Sequence, residues 1–325
     1  MKVAVTGASG HIGNCLVREL KKQGAVVKVL VHNFSSDLDE LDVELIIGNL
    51  LDPRSLNTLC EGVDVVFHLA AQIDIGNRSA AQIYETNVTG TRNLIKSAIS
   101  GKTKKFIHFS SIHAFQTEPL HMMLDESRPL VEKDKIIYEY SKAEGEREVK
   151  KAVKEGLNAV ILNPTAVIGP FDYRSSYLGQ ALIKIYQNKL PFLVSGGYNW
   201  VDVRDVVAAS IQAVESGQNG ENYILSGKYC SLQDLSVMIS ELSGCKIPMI
   251  IPVALAQLAC PFFKIYSTIS NKEPLYTYQS LNILVNSPTN ISNAKAKKEL
   301  GYESRPLVQS LRDTFDWYKE NNIIS

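Results

Sequence analysis

Short apolar runs and longer amphipathic stretches alternate along the first half of this chain. The apolar runs lie at residues 3–5, 25–31, 45–47, 63–70, 105–109 and 159–162, and several are apolar at nearly every position, as strands buried on both faces are. Stretches with helical spacing lie between them, at residues 12–23, 55–60, 80–98 and 138–154. This alternation predicts an α/β fold with a doubly wound parallel sheet. Ligands of such sheets bind at the carboxyl ends of the strands.

The regular alternation ends near Pro164, and Gly169 and Pro170 mark the change. Beyond this point the chain mixes short strands, prolines and helices, with helical spacing at residues 232–242 and 307–321. We therefore predict a nucleotide-binding domain and a smaller mixed α/β domain that binds the substrate. The first comprises residues 1–167 with a return segment near 200–226, and the second comprises residues 168–199 and 227–325.

Three glycines, Gly7, Gly10 and Gly13, follow the first apolar run and precede the first helical stretch. Glycine allows positive φ and has no Cβ to collide with a ligand. A helix that begins near Ser9 would present free N–H groups and a positive dipole end to an anion. The arrangement favours binding of a dinucleotide pyrophosphate, although a tight strand-to-helix connection alone would also use glycines.

Composition and charge exclude several classes of function. The 325 residues contain 34 Lys+Arg and 34 Asp+Glu, so no net field attracts the chain to nucleic acid. Five scattered cysteines include no C-x-x-C pair, which argues against a disulfide framework or a metal site. The glycine turn begins too early for a signal peptide, and we expect a cytoplasmic protein. Prolines and Lys264 interrupt the apolar stretch at residues 247–269, which predicts a pocket or lid and no membrane span.

The choice between NAD and NADP depends on the side chains about 20 residues beyond the glycine turn, where NAD-binding chains carry an acidic residue. His32 and Asn33 lie there, and the first carboxylate is Asp37. These two residues, with Ser35 and Ser36, could donate hydrogen bonds to a 2′-phosphate. The sequence therefore favours NADP(H), although no arginine supports it and NAD stays open.

Tyr138 and Lys142 are four residues apart at the start of a predicted helix, so they share one face. A tyrosine has an ordinary pKa of about 10. A nearby ammonium lowers that pKa, so the phenol can exchange a proton with a substrate oxygen near neutral pH. The pair alone would also suit an exposed helix surface. Tyr140, followed four residues later by Glu144, is the weaker candidate.

Two strand ends supply further candidates. Ser110 and Ser111 end the fifth apolar run, where a hydroxyl could hold a substrate carbonyl beside the tyrosine, unless they only form a turn. The segment His68-Leu69-Ala70-Ala71 ends the fourth run, and its small residues would let a flat ring approach the backbone.

Taken together and in order, these motifs resemble the extended short-chain dehydrogenase/reductase superfamily. They are the segment 6–13 (TGASGHIG), HLAA at 68–71, Ser110-Ser111 and Tyr138-x-x-x-Lys142, followed by NPTAVIGP at 163–170, VDVRDV at 201–206 and AKKELGYESR at 296–305. Within the superfamily the chain is most similar to the dihydroflavonol-4-reductase-like group of NAD(P)-dependent epimerase/dehydratases. The resemblance spans essentially the whole chain and implies a Rossmann fold.

The resemblance also implies roles for individual residues. Tyr138 would be the acid/base, Lys142 would hold the nicotinamide ribose and tune the tyrosine, and Ser111, rather than Ser110, would fix the substrate oxygen. Asn87 matches a structural asparagine of the family. The implied cofactor contacts are Gly7, Ser9, Gly10, His11, Ile12, Gly13, His32, Asn33, Asn49, Leu50, Leu69, Ala70, Ala71, Tyr138, Lys142, Pro164 and Thr165. Candidate substrate contacts are Gln72, His113 and Tyr173, with Arg174 as a further pocket candidate.

The sequence departs from the family pattern at two points. Asn49 replaces the aspartate that usually reaches the adenine, which weakens that match. Residues 112–115 replace the Asp-Glu pair of sugar-nucleotide 4,6-dehydratases, so that activity is not expected.

Three functions compete at this stage. The first is a carbonyl reductase or alcohol dehydrogenase that acts on a small or fairly apolar substrate. The second is a sugar-nucleotide epimerase, for which Arg174, Arg204 and Arg305 could contact a diphosphate. The third, a non-catalytic cofactor sensor, is disfavoured because such members tend to lack the tyrosine or the lysine. The resemblance also implies a homodimer formed through the helices near residues 80–98 and 138–154.

Overall fold

The computed structural model describes residues 1–33, 38, 40–73, 79–133, 136–258, 260 and 278–324. The strands are β1 (Lys2–Thr6), β2 (Val26–Val31), β3 (Glu44–Ile47), β4 (Val65–His68), β5 (Lys105–Phe109), β6 (Ala159–Pro164), β7 (Ala166–Ile168), β8 (Phe192–Val194), β9 (Gly197–Asp202), β10 (Asn222–Leu225), β11 (Lys228–Ser231) and β12 (Met249–Ile251). The α-helices are α1 (His11–Lys22), α2 (Pro53–Cys60), α3 (Ala80–Tyr84), α4 (Gly90–Ser100), α5 (Ile137–Lys154), α6 (Tyr177–Tyr186), α7 (Val203–Ser216), α8 (Leu232–Ser243), α9 (Tyr278–Val285), α10 (Ala294–Leu300) and α11 (Leu307–Glu320).

Seven strands form one parallel sheet in the order β3-β2-β1-β4-β5-β6-β10. After β1 the chain adds β2 and β3 on one side of β1. It then crosses back and adds β4 on the other side of β1, so the direction in which strands are added reverses between β1 and β4. That reversal opens a crevice at the carboxyl ends of β1 and β4. The predicted doubly wound parallel sheet is confirmed.

Helices cover both faces of this sheet because its strands are apolar on both sides. On one face Leu16 of α1, Val206 of α7 and Leu300 of α10 belong to a continuous buried cluster. On the other face Leu56 of α2 and Leu94 of α4 pack with residues of α5. The sheet is therefore sandwiched, and its carboxyl edge is where loops can form a site.

Local sequence signals set several helix ends. The Asp52 side chain accepts hydrogen bonds from the N–H groups of Arg54 and Ser55, and Pro53 occupies the first helical position of α2, as predicted. Gly244 ends α8 in the left-handed conformation, with φ of 73°.

The helical stretch predicted at residues 80–98 is interrupted. A π-helical segment, Glu85–Thr89, separates α3 from α4. Its central Asn87 is buried and contacts the loop after β4. π turns within helices are frequent at functional sites, and this one carries a residue that reaches the sheet edge.

The rest of the chain builds a second, smaller core. β7, β9 and β11 form a three-stranded sheet, and β8 pairs with β12. Buried aromatic side chains fill the core between these strands and the helices α6, α8 and α11, among them Trp200, Phe315 and Tyr318. The domain boundaries predicted above stay a prediction. Of the apolar stretch at 247–269, residues 259 and 261–269 lie outside the described residues, and no described helix is long and apolar enough to cross a membrane.

An ion-pair cluster joins α7 to the chain near α11. Asp202, whose side chain is fully buried, pairs with Arg204 over 2.7 Å, and Arg204 also pairs with Asp313 over 2.7 Å. The Arg305 guanidinium binds Asp205 over 2.7 Å and lies 3.7 Å from Asp202. Because these carboxylates are buried, removing one cation would leave a buried charge uncompensated.

We therefore expect Arg305→Met to lower the free energy of unfolding by about 2–4 kcal/mol. The matched control is Lys104→Met, which breaks an exposed ion pair with Asp64 and should cost less than about 1 kcal/mol. Urea unfolding of both variants measures the difference. Equal, small losses would show that the buried cluster does not stabilise the fold.

Candidate active site

The glycine turn after β1 is held by close backbone packing. Gly7 has φ of 76°, and a Cβ there would lie 2.7 Å from the Ala70 nitrogen. A Cβ on Gly13 would lie 2.1 Å from the Gly7 carbonyl oxygen. These two glycines are therefore required by the contact between the turn, the first helix and the end of β4.

Gly10 differs from the other two glycines because a Cβ there would have a single close neighbour. A Cβ there would meet only the Gly7 carbonyl oxygen, at 3.3 Å. Gly10 is also the N-cap of α1, it offers no side-chain cap, and the first turn of the helix contains no acidic residue. An uncapped helix end with room before it fits a dinucleotide diphosphate.

A buried histidine fixes the strand ends beside this turn. His68 Nδ1 lies 2.8 Å from Thr6 Oγ1, and His68 Nε2 lies 2.8 Å from Thr91 Oγ1. Thr91 donates its single hydroxyl proton to the Asn87 carbonyl oxygen, so it accepts from His68 Nε2–H, and Thr6 donates to Nδ1. Burial lowers the His68 pKa to about 3, which keeps the ring neutral. Thr6 Oγ1 in turn accepts from the Ala70 N–H.

Asn87 ties the loop after β4 to α5. Its side chain accepts from the Gln72 N–H over 2.7 Å and donates to the Gln72 carbonyl oxygen over 2.9 Å. It also donates to Ser141 Oγ, which itself donates to the Tyr138 carbonyl oxygen. The π segment therefore positions the start of the helix that carries the catalytic candidates.

Ser111, Tyr138 and Lys142 meet at the carboxyl end of β5. The Ser111 side chain accepts from the His113 N–H and lies near enough to the Tyr138 hydroxyl to act on its pKa. Lys142 Nζ donates to the Phe109 carbonyl oxygen over 2.7 Å. Ser110 Oγ is buried near the carboxyl group of Glu146, and no hydrogen bond to it is found among the described residues.

The electrostatics of the site differ from the expectation in one respect. Burial raises the pKa of Tyr138, and the nearby Ser111 side chain partly opposes that rise, whereas the sequence predicts a lowered pKa. The reason is that the phenol is shielded from water and the Lys142 ammonium is directed at the Phe109 carbonyl oxygen. Burial lowers the pKa of Lys142 itself to about 8, and the nearby Glu146 carboxylate opposes that shift.

The other candidate cofactor contacts lie along the same edge. His32 and Asn33 follow β2 and are exposed, whereas Ser35, Ser36 and Asp37 lie outside the described residues. Asn49 Oδ1 accepts from the Leu51 N–H over 2.8 Å, and Leu50 is buried. Ser9, Ile12, Leu69 and Ala71 flank the turn and the end of β4, and Pro164 and Thr165 follow from β6.

His11 connects the glycine turn to the second core. Its Nε2–H donates to the Pro170 carbonyl oxygen over 3.0 Å. Nearby, Phe171 has a positive φ of 70°, a conformation that bulky residues rarely adopt. The turn and the loop after β7 are therefore directly coupled.

The candidate substrate contacts are more dispersed. His113 lies beside Ser111, its Nδ1 is 3.8 Å from Glu139 Oε1, and burial lowers its pKa to about 4. The Tyr173 ring packs edge-on against Trp317, at 4.8 Å between centroids, with the Arg18 guanidinium 5.1 Å from it. Their contact with a substrate stays a prediction.

The sequence analysis missed three buried polar residues behind Ser111: Glu146, Asn163 and Asn222. A signal was present for the first, because Glu146 stands four residues beyond Lys142 on the same helix. The other two lie on strands that are distant in sequence, and only the sheet brings them together.

Comparison with known proteins agrees with this geometry. The sequence profile of the NAD dependent epimerase/dehydratase family matches residues 3–226. The chain belongs to this family, and it is an NAD(P)-dependent enzyme of the short-chain dehydrogenase/reductase type. The resemblance inferred from the motifs is confirmed.

Individual relatives cover almost the whole chain. Sterol demethylase protein B of Methylococcus capsulatus is 30% identical over 100% of both chains. A putative dihydroflavonol 4-reductase of Synechocystis is 28% identical over 98% of this chain and 95% of its own. The crystal structure of gox2253 superposes with a TM-score of 0.85 at 32% identity, over 100% of this chain and 99% of the other. A UDP-glucose 4-epimerase of Thermotoga maritima shares the fold, with a TM-score of 0.79, 21% identity and coverage of 99% and 100%.

The contrast between Gly10 and Gly13 gives a test of the cofactor cradle. We expect Gly10→Ala to weaken NADPH binding at least about tenfold, because the methyl group enters the space before the helix. Without cofactor its melting temperature should stay within about 2 °C of the parent. Gly13→Ala should instead lose stability, because its methyl group meets the Gly7 carbonyl oxygen. Calorimetric titration and thermal unfolding separate the two effects, and unaltered NADPH binding by Gly10→Ala would contradict this assignment.

Proposed function

We propose that this enzyme is a carbonyl reductase or alcohol dehydrogenase that uses Ser111, Tyr138 and Lys142. The observation that carries the proposal is that Ser111, Tyr138 and Lys142 come together at the carboxyl edge of the sheet. Lys142 stands one helical turn from the tyrosine, and the glycine turn lies at the neighbouring strand end. A hydride donor and a proton donor can thus approach one carbonyl group.

The three side chains divide the proton chemistry. A nicotinamide cofactor held at the glycine turn would supply the hydride for reduction and accept it in oxidation. The Ser111 hydroxyl holds the substrate oxygen, and the Tyr138 hydroxyl gives its proton to that oxygen as the alcohol forms. The raised pKa of Tyr138 keeps the phenol protonated and ready to donate. The Lys142 ammonium favours the phenolate that remains after the transfer.

The arginines favour this function over a sugar-nucleotide epimerase. Arg204 binds Asp202 and Asp313, and Arg305 binds Asp205, so both cations are already neutralised by carboxylates. A substrate diphosphate needs cations that can turn toward it. Two of the three arginines considered for that role are therefore committed to the ion-pair cluster.

The relatives suggest the chemical class of the substrate. One is named sterol demethylase protein B, and another, from Stigmatella aurantiaca, is named as a ketoreductase of a farnesyl-bearing dihydroquinoline oxide at 26% identity over 95% and 94% of the two chains. We propose an apolar ketone, aldehyde or secondary alcohol for this enzyme. Gln72, His113 and Tyr173 are the proposed substrate contacts.

We propose NADP(H) as the preferred cofactor. Among the described residues after β2, His32 and Asn33 are exposed and uncharged or weakly basic, so they do not repel a 2′-phosphate. We also propose a cytoplasmic homodimer. Its interface would involve α4 and α5, which are joined on their surface by an ion pair between Arg92 and Glu148.

The catalytic assignment is tested by NADPH oxidation with a panel of apolar ketones and aldehydes. We expect turnover with at least one compound and a loss of about a hundredfold or more in Tyr138→Phe, because the phenol supplies the proton. Tyr140→Phe is the matched control and should retain activity, since the Tyr140 ring stacks on Tyr84 with centroids 6.0 Å apart, a contact that phenylalanine keeps.

Two outcomes would contradict the proposal. Full activity of Tyr138→Phe would remove the tyrosine from the mechanism. An epimerase would be identified instead if no compound of the panel were turned over, UDP- or GDP-sugars raised the melting temperature, and the protein held NAD tightly.

Cofactor choice is tested at Asn33. We expect Asn33→Asp to raise the KM for NADPH relative to that for NADH about tenfold or more, because a carboxylate repels the 2′-phosphate. Gln23→Glu adds the same charge at the other end of α1 and should leave the ratio unaltered. Steady-state kinetics with both cofactors measure it. If Asn33→Asp does not change the ratio of the two KM values, the 2′-phosphate is not bound at Asn33.

A further inference from the structure

Behind Ser111 lies a network of buried side chains that the proton transfer by Tyr138 does not use. Glu146 of α5 is fully buried and accepts hydrogen bonds on both carboxylate oxygens. Asn163 Nδ2 donates to Glu146 Oε1 over 2.6 Å and to the Ser111 carbonyl oxygen over 3.0 Å. Asn222 Nδ2 donates to Glu146 Oε2 over 2.8 Å and to Asn163 Oδ1 over 2.9 Å. The network therefore links α5 to the ends of β5, β6 and β10.

The donors and acceptors of this network indicate the ionisation state of Glu146. The Asn163 amide must direct its NH₂ group at Ser111, because a carbonyl oxygen only accepts. The Asn163 oxygen then accepts from Asn222, whose other N–H reaches the carboxyl group. Both described amide contacts of the carboxyl group are thus donors, which a carboxylate satisfies without a proton of its own. Burial raises the pKa of Glu146, and these hydrogen bonds oppose that shift.

Lys142 stands one helical turn before Glu146 on α5, so both side chains leave the same face of the helix. His68 of β4 and His108 of β5 also face the ammonium, and burial keeps their pKa values so low that both rings are neutral. On its other side Glu146 is influenced by the charge of Lys150. Among the described groups, the negative charge that raises the pKa of Lys142 is therefore that of Glu146.

We propose that Glu146 is a positioning residue of the active site. Its buried carboxylate keeps Lys142 protonated near neutral pH. Through Asn163 it also holds the backbone of Ser111, so that the serine hydroxyl stays in contact with Tyr138. The proposal rests on the proposed function only in that proton transfer uses these side chains. A purely structural link between helix and sheet would leave the titration of Lys142 unchanged.

The test is the titration of Lys142 in the full chain without cofactor, followed by NMR of the lysine amines and assigned with Lys142→Arg. A lysine that titrates at about 8 stands apart from the others, whose ordinary value is about 10.4. In Glu146→Gln we expect its pKa to fall by about one unit, because the compensating charge is gone. Glu144→Gln is the matched control, since Glu144 pairs with Arg147, and it should leave Lys142 unaltered.

An unshifted Lys142 in Glu146→Gln would overturn the proposal. A second measurement on the unaltered protein decides the matter even if that variant fails to fold. The side-chain carboxyl resonance of Glu146, assigned through its own backbone amide, should be that of a carboxylate at neutral pH, and a protonated carboxyl group would equally overturn the proposal. Neither readout needs turnover. A shifted Lys142 with no active carbonyl compound would therefore refute the proposed function alone, and turnover with an unshifted Lys142 would refute only the role of Glu146.

Discussion

The neutral imidazole of His68 is the connection on which the site depends. It accepts a hydrogen bond from Thr6 at the end of β1 and donates one to Thr91 of α4. It therefore fixes a strand, a helix and the loop that follows β4. Burial lowers the pKa of His68, so the ring stays neutral and offers Nδ1 as an acceptor to the Thr6 hydroxyl. The glycine turn packs against the backbone of Ala70. The position of the loop that contains Ala70, which His68 helps to fix, therefore determines the position of the turn.

From this connection two different environments develop along one sheet edge. At the end of β1, glycines form the turn and no side chain caps the start of α1. Free backbone N–H groups at such a helix end suit a large anion. At β5 a serine, a tyrosine and a lysine lie close together and are shielded from water, which suits movement of a single proton. Burial has opposite effects on two neighbours there, raising the pKa of Tyr138 and lowering that of Lys142. A phenol that keeps its proton and an ammonium of reduced basicity are the result.

Much of this could be predicted from sequence. Apolar runs and helical spacing predicted the alternating elements, and the family motifs led to the family itself. The motifs also gave Ser111, Tyr138 and Lys142 as catalytic candidates, and their roles stay a prediction. The direction of the Tyr138 shift was predicted wrongly, because burial and the contact of Lys142 with Phe109 appear only in three dimensions. The partnership of residues 146, 163 and 222 was missed for the same reason. These three residues lie on a helix and two strands, and no helical or strand spacing along the sequence predicts that they meet.

The π segment at Glu85–Thr89 also constrains how this region of sequence can change. One additional residue per turn rotates everything that follows by about 100° relative to a continuous α-helix. The buried side chains Ile83 of α3 and Leu94 of α4 therefore have a relative direction that a continuous α-helix would not give them. Asn87 and Thr91, which contact Gln72 and His68, depend on the same offset. The number of residues in this segment is therefore constrained as well as their identity. A one-residue deletion would turn Asn87 or Thr91 away from its partner and would disturb the site more than most substitutions.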